Sequence, residues 1–406
     1  MSETNPEGLR GGSGSDSAVV AASPAPVDVR ALLCAIATVS IVGVGLSLTM
    51  TLIAVRLGEQ GYSAKAIGVN PTAAGLATLI AAAFVPGWAR RFGVRRVLVV
   101  ALLACMLSLL GMAAMENYWA WLGIRAVFGA ALTALFVVSE YWINAIAPPE
   151  RRGMVIGVYA ASVALGFAAG PSILALVGTA SSAPFFAAIL LFALAAAPIV
   201  LGSSAEPEIK NTPHVPVFGF LLKAPVVSLA GLLHGAIETA GMGLLPVYAL
   251  RAGLSAETGA IFVSLFAFGN VIFQLPVGFV SDKINRNLLL LAISVLGLGG
   301  ALVLGAAGPG ALVFFCIALV AWGGIVGSFY AVALAQLGAR HHGAELASAN
   351  AAFVMLYSIG LLAGPPFVGF GMDFLGADGF FFSIAAMLAP YLALQIWFSG
   401  REDEAS

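Results

Sequence analysis

The sequence predicts an all-α membrane protein of twelve transmembrane helices in two pseudo-symmetric six-helix bundles. Three observations carry that prediction. The 406 residues are 61% hydrophobic and 9% charged, with a mean hydropathy of +1.02, where a soluble chain carries about 25% charged residues. Only a bilayer accepts so much apolar exterior, and in its core the backbone must satisfy its own hydrogen bonds. Apolar runs of roughly 20 residues, the length that crosses the hydrocarbon core, recur twelve times. The least apolar internal stretch, Ser203 to Val217, splits them into two sets of six.

Taken in order, the spans are expected at about 30–55, 65–88, 96–115, 119–146, 153–178 and 184–203, then at 224–250, 257–280, 288–306, 310–338, 344–371 and 378–398. The longest of these imply tilt or ends that project beyond the lipid. Residues 1–28, rich in Gly, Ser, Pro and Ala, read as a disordered cytoplasmic tail. Residues 29–203 and 224–400 then form the bundles, 204–223 a cytoplasmic linker and 401–406 a second tail. No short apolar region with a cleavage site precedes the first span, so the N-terminus does not read as a signal peptide.

Basic residues orient the chain. With the N-terminus inside, fourteen Lys and Arg fall on the cytoplasmic side, three (Arg56, Lys65, Arg251) fall outside, and Arg125 lies within a span. The positive-inside rule therefore predicts both termini in the cytoplasm of a multi-pass protein of the plasma (inner) membrane. Cys34, Cys105 and Cys316 lie far apart in apolar runs and read as packing residues.

Two internal matches point to duplication. P-G-W-A-R-R-F-G from Pro86 is echoed by G-F-V-S-D-K-I-N from Gly278, 192 residues later. "GFAAGP" (Gly166 to Pro171) is echoed by "GLLAGP" (Gly360 to Pro365), 194 residues later. Each pair falls in the same helix of its set of six, as in transporters built from parallel repeats.

From about residue 29 to 399 the chain resembles the major facilitator superfamily. The family's loop signature between helices 2 and 3 is matched loosely by "PGWARRFGVRR", with Arg91, Gly93 and Arg95 in place. Pro86 replaces its first glycine and Arg90 its aspartate. The second copy keeps Gly278 and Asp282, followed by Lys283 and Arg286, but has Asn285 for the second glycine. The resemblance implies a cytoplasmic latch that helps hold an outward-facing state, with Asp282 the acid able to supply it. Arg125 to Gly129 matches R-x-x-x-G in helix 4. Gly166, Gly170 and Pro171 match a helix 5 signature associated with antiporters, and Gly360, Gly364 and Pro365 repeat it as packing positions. "SEYWINAIAPPERRG" (Ser139 to Gly153) looks like the YcaD-type branch.

Ionisable groups within spans are costly, roughly 2.5–3.5 kcal/mol at a helix centre, so the few present are informative. In "LLHGAIETAGMG", His234 and Glu238 are four apart and share a helix face. Glu238 is the expected proton-coupling group and His234 its modulator; the plain structural alternative is a neutral Glu bonded to His234 or to backbone freed near Pro246. Arg125 cannot shed its proton. It binds an anionic substrate, transmits protonation, or pairs with an acid such as Glu116. Glu140 is expected to meet the cytoplasmic arginines, with Arg152, as part of a gate. Asn270 and Gln274 share a face of helix 8; Trp322 and Tyr330 lie on helix 10, and Asn350 and Tyr357 on helix 11. They are candidates to orient a substrate, against interhelical bonding or packing as the plain alternatives.

Adjacent His341 and His342 lack further ligands for a metal. There is no Walker loop, G-x-S-x-G or H-E-x-x-H. The expectation is therefore no enzyme, no cofactor and no metal. The leading function is alternating-access transport of a small organic solute by a monomer in the lipid bilayer, with protons as the coupled partner, running as efflux by antiport. Nucleic acid is not expected, for want of a solvated basic patch. The alternatives are proton-linked or facilitated uptake and a non-transporting membrane sensor.

Overall fold

A computed structural model describes residues 29–146, 152–179, 181–201, 225–281, 283–340 and 343–404. Among them are twelve long helices: α1 (Val29–Glu59), α2 (Ala64–Phe92), α3 (Val94–Ala114), α4 (Tyr118–Ile146), α5 (Arg152–Val177), α6 (Ala183–Leu201), α7 (Pro225–Arg251), α8 (Ala256–Ser281), α9 (Arg286–Ala307), α10 (Leu312–Arg340), α11 (Gly343–Leu375) and α12 (Gly379–Glu404). Nine are long and apolar enough to cross a membrane by themselves, and α2, bent by 55° between Ala82 and Phe84, makes a tenth. In α5 and α6 the qualifying apolar stretches are shorter, Ala161–Val177 and Ala183–Ala197. Length and composition thus support nine or ten of the twelve expected spans. The expected linker at 204–223 and most of both tails lie outside the described residues.

The two sets of six pack alike. In the first, α1 lies on α5 and α6, α2 on α4, and α3 on α4 and α6; in the second, α7 lies on α11 and α12, α8 on α10, and α9 on α10 and α12. Glycine makes the closest of these approaches, as expected where helices associate without a hydrophobic gain and depend on backbone proximity. A Cβ on Gly166 would stand 2.7 Å from the Ser40 carbonyl oxygen, and one on Gly360 2.0 Å from that of Leu232. A Cβ on Gly170 would meet the Val44 carbonyl oxygen at 2.5 Å, and one on Gly364 the Ala236 Cα at 2.4 Å. The contacted residues are 192 apart and the glycines 194 apart, so the motif found twice in the sequence does one job twice: it seats α5 on α1 and α11 on α7. Gly129 on α4 against Ala74, and Gly323 on α10 against Phe266, extend the same offsets to the α2/α4 and α8/α10 junctions.

The short turns after α2 and α8 solve one problem in two ways. Gly93 holds φ at +88° and returns its N–H to the Ala89 carbonyl, ending α2 and starting α3; that backbone conformation favours glycine. At the corresponding turn, Asn285 keeps φ at −60° and caps α9 with its side chain, which accepts from the Asn287 N–H at 2.8 Å. The glycine-to-asparagine departure seen in the sequence thus exchanges a backbone turn for a side-chain cap.

Candidate functional site: a cavity between the two bundles

The halves meet at the end of the molecule away from the basic α2–α3 turn. There the Asp373 carboxylate, on α11, accepts hydrogen bonds from the Ala64 and Lys65 N–H groups at the start of α2, at 2.8 and 2.9 Å, and pairs with Arg251 of α7 at 2.6 Å. A carboxylate is well placed on a helix N-terminus, whose first N–H groups lack intrahelical partners. Thr72 of α2 donates to the Leu362 carbonyl at 2.9 Å, and Ser172 of α5 donates to Ser264 of α8 at 2.8 Å. A Cβ on Gly68 would stand 2.3 Å from the Pro365 carbonyl oxygen. Towards the basic end the bundles enclose a cavity of about 490 Å³ walled by α1, α2, α4 and α5 of the first half and α7 and α11 of the second. Its α4 wall runs from Arg125 near the closed end to the exposed Glu140.

One polar cluster belongs to the second half. Glu238 presents its carboxylate to the cavity with 29% of its side chain exposed, and Oε2 lies 3.4 Å from Nε2 of His234. The Tyr357 hydroxyl, from α11, donates to the same oxygen at 2.7 Å. The imidazole stacks on Tyr357, ring centroids 5.8 Å apart, and tilts against Tyr330 at 5.4 Å. Gly235 makes this possible: a Cβ there would stand 2.3 Å from the Tyr357 carbonyl oxygen, so α7 and α11 touch backbone to backbone beside the cluster.

A second polar cluster belongs to the first half. Arg125 is 3% exposed, and its guanidinium carbon lies 5.7 Å from the Phe128 ring centroid. Among the described residues, Nε and Nη1 have no hydrogen-bond partner. The alternative of a pair with Glu116 is thereby corrected: Arg125 points into the bundle interior, whereas Glu116 is exposed in the α3–α4 turn. Beside Arg125 is Asn70 of α2, 1% exposed, with neither Nδ2 nor Oδ1 bonded. The two line a void of about 10 Å³ that shares Met50, Pro71 and Arg125 with the large cavity.

Other sequence candidates fall elsewhere. Trp322 is the clear correction. It is 2% exposed, its Nε1 donates to the Gly297 carbonyl at 2.9 Å, and it packs on Phe266 and Phe381, so it fills the core of the second bundle. Asn270 is absent from the cavity wall and packs against Gly327, where an added Cβ would meet its Oδ1 at 2.5 Å. Glu140 lines the cavity and accepts a hydrogen bond from the Tyr159 hydroxyl at 2.7 Å. At the basic end, Arg91 is exposed with its guanidinium 5.3 Å from the Phe92 ring centroid, and Arg95 is half-buried on the first turn of α3. Gly278 is half-buried, Lys283 stands 4.0 Å from the Phe279 ring centroid, and Arg286 opens α9. Asp282, with His341 and His342, lies outside the described residues, as do the side chains of Gln274, Asn350 and Arg152.

Sequence reasoning passed over Asn70, an amide in an apolar run one residue before Pro71, and the Asp373–Arg251 pair, two charges 122 residues apart. It passed over Thr78, Thr133 and Thr239 on the cavity wall as well.

Known proteins share this architecture. An uncharacterised MFS-type transporter of Bacillus subtilis (strain 168), YfkF, is 29% identical over 84% of this chain and 89% of its own. The uncharacterised MFS-type transporter YcaD of Escherichia fergusonii is 24% identical over 75% and 79%. Among solved structures, the nucleoside transporter NupG superposes with a TM-score of 0.71 at 13% identity, over 92% of this chain and 98% of that one. A bacterial homologue of the human lysosomal transporter Spinster, in an inward-facing and occupied conformation, does so at 0.70 and 14%, over 93% and 97%. At such identities the structures speak for the fold. The sequence profile of the Major Facilitator Superfamily matches residues 33–344 and again 227–406, and with it the duplicated helices and the shared cavity come together: the chain belongs to the Major Facilitator Superfamily of membrane transporters.

Proposed function

We propose that the chain is a proton-coupled transporter of a small organic solute, that Glu238 carries the proton, and that it runs as an exporter by antiport. The observation that carries this reading is the setting of Glu238. It is a carboxylate on the wall of the cavity that both halves share, within reach of the imidazole of His234 and bonded by the hydroxyl of Tyr357. A carboxylate at that depth is costly when charged and unpaired. Tyr357 supplies a hydrogen-bond donor to it, and a proton on the carboxylate removes the charge as the cavity changes sides. The halves are joined at one end by the Asp373 cap, with the cavity lying towards the other, an arrangement that fits one of the two states alternating access requires.

Proteoliposomes test the coupling. An imposed pH gradient is expected to drive solute movement in the unaltered protein. Glu238→Gln is expected to lose the pH-driven component while keeping solute exchange at zero gradient. Loss of neither would reject Glu238 as the carrier, and solute moving with the proton would reject antiport. The basic end is assigned to the cytoplasm by the positive-inside rule, in the plasma (inner) membrane. A protease tag fused at Ser406 should accordingly resist digestion on intact cells, and its removal there would reverse the orientation.

A further inference from the structure

The structure assigns an oxyanion subsite to Arg125 and Asn70 at the closed end of the cavity, and with it a substrate class: small organic acids with an apolar body. This rests on the transport reading above and deepens it.

Charge is the first reason. Glu238 already has partners in His234 and Tyr357. Arg125 does not: its Nε and Nη1 have no hydrogen-bond partner among the described residues, and the face of Phe128 is its only described charge-stabilising contact. A guanidinium keeps its proton under all physiological conditions, so at this depth it calls for an anion, backbone carbonyls or cavity water as partner, and the anion satisfies it best. Within the cavity wall the carboxylates are Glu238 and Glu140. The first is occupied as described. The second lies 15 residues along α4, roughly 22 Å away, and is bonded to Tyr159. Neither neutralises Arg125.

The repeat is the second reason. The glycine contacts that relate the halves place Phe262 at the counterpart of Asn70 and Leu319 at the counterpart of Arg125, by the offsets of 192 and 194 residues found for α2/α8 and α4/α10. Phe262 and Leu319 are fully buried apolar residues. The duplicated helix pair therefore packs with hydrocarbon at these two positions. In the first half both have become polar, on two different helices, facing one void.

Shape is the third. The void has room for about one oxygen-sized atom. One oxygen of a carboxylate enters it between the Asn70 amide and the guanidinium, and the other stays on the cavity side of Arg125. The rest of the ligand then lies in the large cavity against Phe128, Phe136, Phe167 and Leu361, which selects an apolar body. An amide or amine cannot supply the negative charge that Arg125 lacks as a partner.

Thermal stability of the detergent-purified protein provides the test, with benzoate and acetate as probes, benzamide and benzylamine as neutral and cationic counterparts, and chloride titrated separately against sulfate. Benzoate is expected to stabilise most and acetate less, with no shift from benzamide or benzylamine. The half-saturating benzoate concentration should rise about ten-fold or more in Arg125→Gln and about three-fold in Asn70→Ala, the loss of a charge-assisted and of a neutral hydrogen bond respectively. Arg125→Lys, which keeps the charge, should lie between. Benzoate affinity unchanged in Arg125→Gln and Asn70→Ala would overturn the subsite. Stabilisation by chloride alone, lost in Arg125→Gln, would make Arg125 a counter-ion site and overturn the substrate class. Binding is read without a gradient, so the test does not depend on proton coupling. If pH-driven transport proves absent while benzoate binding depends on Arg125, the coupling reading fails and the subsite stands.

Discussion

The two halves of the molecule share a packing skeleton and differ in where they carry polarity. On α7 and α11 the cavity receives Glu238 and Tyr357, with His234 buried behind them; the same offsets lead in α1 and α5 to Val42, Leu46 and Val163. Leu46, the counterpart of Glu238, also faces the cavity, so the geometry is repeated and only the chemistry is not. The relation reverses on the other helix pair, where α2 and α4 carry Asn70 and Arg125, and α8 and α10 carry Phe262 and Leu319. What stayed the same after duplication is the set of glycine contacts that lets helices touch. What diverged are single positions on faces already aimed inward. Comparing the halves thus separates residues the fold needs from residues it tolerates, within a single sequence.

That separation can be broken at its strongest point, the glycines. Gly170→Val and Gly364→Val each push a side chain into backbone at 2.5 Å or less. Each should cost about 1–3 kcal/mol or prevent folding, with the two costs similar. A large difference in detergent melting temperature between them would mean the junctions are not equivalent. The opposite outcome is expected of Asn70→Phe with Arg125→Leu, which gives the first half the apolar residues of the second. Removing an unpaired buried charge should raise stability by about 1–2 kcal/mol, as when buried ionic groups give way to well-packed hydrophobes, while transport is lost. A drop in melting temperature would show that Arg125 holds the bundle together and that the halves are not interchangeable there.

A smaller effect is expected at the closed end. Asp373→Asn keeps the shape but weakens the bonds to Arg251 and to the start of α2. The closed state should lose about 1 kcal/mol, read as faster labelling of a cysteine placed at Thr72. No change in labelling would leave closure to the backbone contacts of Gly68 with Pro365. The smallest effect belongs to Tyr357→Phe, which removes one hydrogen bond to Glu238. That bond is between neutral hydroxyl and carboxylate on the cavity wall, so pH-driven transport should fall by about three- to ten-fold while the fold is kept. Unchanged transport in Tyr357→Phe would show that the hydroxyl has no part in coupling.

Part of the candidate site was legible from spacing alone. His234 and Glu238 are four residues apart, and a helix puts such residues on one face whatever surrounds it; the structure adds only that this face meets Tyr357 and the cavity. Trp322 shows the limit. Its apolar helix has no polar side to fix a rotation, and the indole found its partner in a carbonyl of α9, 25 residues away. Asn70 shows it again, since a lone amide in an apolar run looks the same whether it bonds to a neighbouring helix or faces a void.

By itself, the sequence determined the membrane class, the helix pattern, the duplication and the glycine motif. These follow from composition, from the length a bilayer demands and from local periodicity, none of which needs a distant contact. Only the tertiary structure decided which helix faces turn inward, which end is closed, and which polar side chains are satisfied. Those depend on meetings such as Asp373 with Ala64, 309 residues apart, and of Arg125 with Asn70 across α2 and α4. In a chain whose helices are apolar on every side, the rotation of each is set by its neighbours' glycines rather than by its own pattern.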